Sequence, residues 1–271
     1  MSGKRQDDLV LYGLVHLPPL PGTPFHKGDS VRQLTEQAFR SVAALVAGGA
    51  DGVLLQTSDG VHPAADSADE ARVAAMALLT GSVVERVPDT FSVGVQIMRN
   101  AVSASLAVAK IAGARFIRAS ALVGVTASAQ GWVQPDAYAI MTNRKRLDAW
   151  DVEILADVET VHFSWYGSTA GTDEVARRAI VAGADAVCVG VPDTDRTRAT
   201  LELVRERAPD IPVVLAGHCT DENAPRLLPL VDRAFVSRAF TDRSWYGEMS
   251  AERVRSFVDR ARSLPRSLRH G

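Results

Sequence analysis

The side chains able to move protons or hold charge sit at the ends of apolar runs in this chain. Asp157 closes Val152-Glu153-Ile154-Leu155-Ala156-Asp157, where strand alternation puts it on the face of Leu155. A carboxylate there is partly desolvated, which suits acid/base work or holding a cation; the same burial suits pairing with a structural arginine. Arg118 offers that pairing from Phe116-Ile117-Arg118-Ala119-Ser120. A buried guanidinium needs a carboxylate or an anionic ligand. Gln96-Ile97-Met98-Arg99-Asn100 ends a further run: Gln96 and Asn100 could orient a hydroxyl or carbonyl, and Arg99 could neutralise a phosphate or carboxylate. The structural alternative is a helix-capping Asn100 beside a solvated Arg99.

His16, His26, His62, His162 and His218 also follow such runs, and the sixth histidine, His270, lies in the tail. In Ala216-Gly217-His218-Cys219-Thr220-Asp221-Glu222-Asn223, Thr220 is placed to cap a helix whose first turn is acidic. Gly217, and Arg238 in Ser237-Arg238-Ala239, are the groups there that would serve a phosphate. A divalent metal would need His16, Asp157, His162 and His218 to converge, since neither HxH nor HExxH occurs. No cofactor is indicated. Without a GxSxG elbow a serine hydrolase is disfavoured; Cys219 beside His218 is a weak nucleophile candidate, and Cys188 reads as core.

The elements that must position these groups repeat a phrase in which a helix ends in Gly-Ala and an apolar strand follows: Gly48-Gly49-Ala50-Asp51-Gly52-Val53, Gly113-Ala114-Arg115-Phe116-Ile117 and Gly183-Ala184-Asp185-Ala186-Val187. Glycine closes helices through a left-handed cap, and β-branched runs suit strands buried on both faces. Strands are predicted at 10–16, 52–57, 92–98, 115–121, 152–158, 185–191, 212–217 and 233–237. Helical patterns fall at 31–47, 68–85, 103–111, 173–182, 196–206 and 222–228, with a basic final helix from 253 towards 269. Eight strands alternating with helices predict an α/β protein, a single (β/α)8 TIM barrel over 1–271, with a flexible start at 1–8 and a frayed end at 265–271. The rival doubly wound sheet would want a glycine-rich phosphate turn after its first strand, where His16-Leu17-Pro18-Pro19-Leu20-Pro21-Gly22 stands instead. In such a barrel the C-terminal strand ends carry the chemistry, and the five histidines fall on that side.

Thirty Lys+Arg against 32 Asp+Glu leave a net charge of −2, without the basic excess that nucleic-acid binding needs. Two cysteines cannot build a disulfide framework, so a reducing cytoplasm is the expected compartment. No run reaches the ~20 apolar residues of a membrane span, and no signal peptide is expected.

Several phrases together resemble the BtpA/SgcQ family: Val15-His16-Leu17-Pro18-Pro19-Leu20-Pro21-Gly22, Gly94-Val95-Gln96-Ile97-Met98-Arg99-Asn100, Phe116-Ile117-Arg118, Gln130-Gly131 and Ile154-Leu155-Ala156-Asp157-Val158. The resemblance runs along nearly the whole chain and implies a TIM barrel. It implies less about activity: the family is associated with photosystem I assembly in cyanobacteria and with sugar utilisation in bacteria, and is often described as predicted TIM-barrel enzymes. The chain departs from the family pattern at Gln56-Thr57, Ala101, Ser120, Ala129 and Glu159, and its glycines near the last two strands are thinned. Such departures on a kept scaffold imply a changed substrate or a lost activity.

The expected function is an enzyme acting on a small polar, sugar-like substrate, with or without a phosphate, by acid/base catalysis, as a lyase, an isomerase or a glycosyl-group enzyme. Asp157 and His16 are the expected catalytic pair. Gln56, Gln96, Arg99, Asn100, Arg118, Ser120, Gln130, His162, Gly217, His218 and Arg238 are the expected substrate contacts. The loop 123–136, with two glycines and Trp132, could close over the site. A homo-oligomer is expected. Two alternatives stand beside this: a non-catalytic assembly scaffold using the aromatics Phe163, Trp165, Tyr166, Trp245 and Tyr246, and a nucleoside-binding or nucleoside-cleaving enzyme that stacks a base on Trp132 or Trp165.

Overall fold

The computed structural model describes residues 9–58, 65–128, 131–166, 169–241 and 246–265. The expected flexible start at 1–8, residues 266–271 of the expected frayed end, His62, Gln130 and Trp245 lie outside the described residues. In chain order the strands are β1 (Val10–Leu17), β2 (Gly52–Thr57), β3 (Ser92–Gln96), β4 (Phe116–Ala119), β5 (Thr126–Ser128), β6 (Gly131–Val133), β7 (Glu153–Thr160), β8 (Ala186–Gly190), β9 (Val213–Leu215) and β10 (Arg233–Val236). All but β5 and β6 are parallel and close into a barrel, with β10 back against β1. The outer layer is α1 (Val31–Gly48), α2 (Glu70–Val84), α3 (Val102–Ala112), α4 (Ala137–Arg146), α5 (Thr172–Val181), α6 (Thr194–Arg207), α7 (Ala224–Leu227) and α8 (Ala251–Ser263).

The expected eight-strand barrel is therefore present. The helix α4 is not among the expected ones, and three further local differences have physical causes. Part of the 123–136 loop is the antiparallel hairpin β5–β6, whose three-residue strands are too short to show alternation. The helix expected over 222–228 shrinks to α7, because Pro225 lacks an N–H and fits only a first turn, so the helix starts at Ala224, and Pro229 follows in a 3-10 turn. Thr220 consequently caps no helix; Thr220 and Asn223 instead exchange hydrogen bonds across the preceding turn.

Inside the barrel, Tyr12, Leu14, Leu54, Phe116, Leu155, Ala186, Cys188, Val214 and Phe235 pack together. Tyr12 stacks on Phe116 at 4.7 Å between ring centroids. A Cβ on Gly94 would lie 2.1 Å from the Phe116 ring, so only glycine fits there. Below these rings Arg233 grips Glu153 through two bonds of 2.6 and 2.7 Å, and burial raises the Tyr12 phenol to about 12.

The lower rim repeats one device three times. Asp51, just before β2, accepts the Leu11 N–H of the neighbouring β1 at 2.8 Å and is met by Arg262 at 2.9 Å. Asp185, before β8, takes the Ile154 N–H of β7 at 2.8 Å and Arg144 at 2.9 Å. Asp232, before β10, takes the Val213 N–H of β9 and Arg205, both at 2.7 Å. Each carboxylate thus satisfies an amide at the start of the adjacent strand and ties it to an outer arginine.

Candidate active site

The upper end of the interior is polar. Register places His16, Gln56 and Gln96 side by side on β1, β2 and β3. All three point inward: His16 lies two residues beyond Leu14, Gln56 two beyond Leu54, and Gln96 two beyond Gly94, which faces the Phe116 ring. Arg118 follows Phe116 on β4 by the same spacing, and Asp157 follows Leu155 on β7.

Arg118 and Asp157 form a two-pronged ion pair, Nε to Oδ1 at 2.9 Å and Nη2 to Oδ2 at 3.0 Å, with side-chain exposures of 2% and 0%. Thr160 donates to Oδ2 at 2.8 Å. Thr160 reaches it because a bulge between Asp157 and Glu159 shifts the strand's alternation; a strict period of two hides this residue in the sequence. The geometry fits the pairing role among those the sequence offers Asp157. Glu159 is turned away from it, accepting from Arg196, Thr172 and Thr200.

Of the histidines expected on this side, His16 and His218 lie near enough to Arg118 to feel its charge. Burial, then the charges of Arg118 and His162, hold His16 down at about 4, so its imidazole is neutral at physiological pH. His218 is lowered by burial and by Arg118, Arg238 and His162. His218 follows Gly217, and both adopt positive φ, 55° and 111° respectively. Arg238 is exposed at the end of β10, and His162 lies partly buried after β7. His26 stays apart, with Nδ1 bonded to the Pro19 carbonyl at 2.9 Å.

Other expected contacts prove to join loops. Asn100 does not cap α3, whose N-cap is Ala101; its Oδ1 accepts the Ala121 N–H at 2.9 Å. Arg99 is buried rather than solvated, paired with Asp66 at 2.8 and 2.9 Å and bonded to Ser128 of the hairpin at 2.7 Å. Asp66 and Ser128 carry no motif that would have singled them out. Ser120 donates to the Arg99 carbonyl at 2.7 Å and accepts from Gln96 Nε2 at 3.0 Å. The hairpin also meets the loop after β7: Ser164 N–H donates to Thr126 Oγ1 at 3.0 Å, and Trp132 lies 4.8 Å from Tyr166.

Both thiols are inert as nucleophiles. Burial pushes Cys219 up to about 12, and burial with the Asp157 charge raises Cys188. Among the described residues no three His, Cys, Asp or Glu side chains are grouped to hold a metal ion, Asp157 being turned to Arg118.

Comparison with known proteins fits this architecture. The profile of the BtpA family matches residues 8–263. The chain belongs to the BtpA family. An uncharacterised protein of Thermococcus kodakarensis is 32% identical over 262 residues, covering 95% of this chain and 97% of its own. The photosystem I biogenesis protein BtpA of Synechocystis is 30% identical over 254 residues, covering 91% and 86%. Among solved structures, the 2-keto-3-deoxy-6-phosphogluconate aldolase of Zymomonas mobilis superposes with a TM-score of 0.57 at 13% identity, over 97% of this chain and 95% of its own. At that identity the likeness shows the TIM-barrel fold of this BtpA-family member alone. Among its described residues no helix is long and apolar enough to cross a membrane.

Proposed function

We propose that this BtpA-family protein is an enzyme acting at the C-terminal mouth of its barrel on a small, anionic, hydroxylated substrate of the sugar-phosphate kind. The observation that carries the reading is the inward row His16, Gln56, Gln96 and Arg118 on four successive strands, with His162 and Arg238 near enough to His218 to disfavour a proton on it. His16, neutral at working pH, takes the substrate proton. Arg238 draws the anion, with the neutral His218 imidazole and backbone N–H groups near Gly217 as hydrogen-bond donors. Asp157 acts through Arg118, fixing the guanidinium at the floor of the mouth. One base and one held anion suit a lyase or isomerase. Glycosyl chemistry with paired carboxylates would have to use Asp157, which Arg118 and Thr160 already occupy. The hairpin, tied to Arg99 on one side and Ser164 on the other, covers the edge of the mouth.

The test is a thermal-shift screen against sugar phosphates, nucleotides and inorganic phosphate, followed by turnover assays of the hits. A ligand at a hundred times its Kd stabilises the fold by about 2.7 kcal/mol. A shift that disappears in Arg238→Ala supports the anion site; silence from every compound sinks the enzyme reading. The assembly reading rests on a different observation. Leu78 on α2 and Ile111 on α3 are 66% and 78% exposed, on neighbouring helices that carry few charges, which suits contact with another protein or a second copy.

A further inference from the structure

Two buried acceptors at the mouth lack a donor. The Oε1 atoms of Gln56 and Gln96 have no hydrogen-bond partner, although the residues are only 3% and 1% exposed. For Gln96 the orientation of the amide is dictated by its neighbours. The single hydroxyl proton of Ser120 goes to the Arg99 carbonyl at 2.7 Å, so Ser120 Oγ can only accept, and Gln96 must offer it Nε2–H at 3.0 Å. Turning the amide over would set two acceptors against each other. Gln96 Oε1 is therefore held facing away from Ser120, and a buried acceptor left so costs stability until a donor arrives. Gln56 stands beside it in register, with the neutral imidazole of His16 next in the row.

We infer that Gln56 and Gln96 form a hydroxyl-reading subsite, each carboxamide oxygen accepting one O–H from neighbouring hydroxyls of the substrate. The inference rests on the anionic-substrate reading above and adds to it what the other end of the molecule must be. The donors are neutral hydroxyls rather than an ammonium group, because the burial that disfavours a proton on His16, and then the nearby charge of Arg118, oppose a cation in the same place. The mouth then has two poles: acceptors on β1 to β3, and after β9 and β10 the cation Arg238 beside the neutral imidazole of His218 and the backbone N–H groups near Gly217. A ligand bridging them carries its negative group at one end and adjacent hydroxyls at the other.

Calorimetric titration with inorganic phosphate and with ribose 5-phosphate tests this in the wild type, Gln96→Met and Gln56→Met. Methionine keeps the length and volume of the side chain and removes the acceptor. Ribose 5-phosphate should bind the wild type more tightly than phosphate does, and each substitution should weaken it about tenfold, the worth of one neutral hydrogen bond. Phosphate affinity should stay the same in all three proteins. If both ligands weaken equally in the variants, or if ribose 5-phosphate binds the wild type no better than phosphate, the hydroxyl subsite is wrong while the anion site stands. Binding of ribose 5-phosphate that depends on the glutamines but is not rivalled by phosphate would keep the subsite and overturn the anion reading. No binding of any probe overturns both. Two variants on separate strands guard against one failing to fold, and their melting curves report that directly.

Discussion

At the scale of single residues, the decisive relation is between Asp157 and Arg118. Both are removed from water, so each depends on the other for solvation. Asp157→Asn should destabilise the fold by about 3–5 kcal/mol, since it strands a buried guanidinium. Replacing the pair together, Arg118→Met with Asp157→Leu, should restore most of that stability and still abolish activity; chemical denaturation of the three proteins checks it. His16 gives a second prediction. Its pKa in the fold, about 4, lies below the ordinary value of 6.5, so the unfolded chain binds the extra proton between those limits. Its contribution is complete above about 6.5 and is lost as pH falls through about 4. Melting temperature against pH should be flatter over that window in His16→Gln than in the wild type. The sequence pointed to His16, Arg118 and Asp157 because each interrupts or ends an apolar run. It could not show that Asp157 is spoken for, since Thr160 reaches it only through a bulge that no residue pattern announces.

At the scale of elements, the strands were legible because helix-ending glycines mark where three of them begin and apolar runs mark the rest, and the barrel followed from counting them. What stayed hidden is the second use of the aspartates in those joints. Asp51 and Asp185 stand in the repeated phrase, yet their bonds run sideways to a neighbouring strand and to arginines far along the chain. Asp185→Ala should cost about 1–3 kcal/mol, because the Ile154 amide and the buried Arg144 lose an acceptor together. Differential scanning calorimetry would then show Tm lower by several degrees with the barrel's circular dichroism unchanged. The hairpin was beyond sequence reading for the opposite reason: its strands are short and its contacts to Arg99 and Ser164 come from other loops.

At the scale of the molecule, the two ends of the barrel are built differently. The lower rim is stapled by the three aspartate-arginine devices and by Arg233 with Glu153, whereas among the described residues the upper rim is held by side-chain bonds running from loop to loop, such as Asn100 to Ala121 and Arg99 to Asp66 and Ser128. Hydrogen-deuterium exchange should be slowest at Leu11, Ile154 and Val213 and fastest in β5 and β6, which pair only with each other in one short ladder. Addition of a binding sugar phosphate should slow the hairpin and leave the lower amides as they were. Equal exchange at both ends would contradict this division.

The division also bears on how such a molecule changes over generations. With the closure of the cylinder secured at one end, substitutions at the other can accumulate without threatening foldability. Descendants can therefore trade one ligand for another while the silhouette persists, and likeness of shape among them says little about shared metabolism.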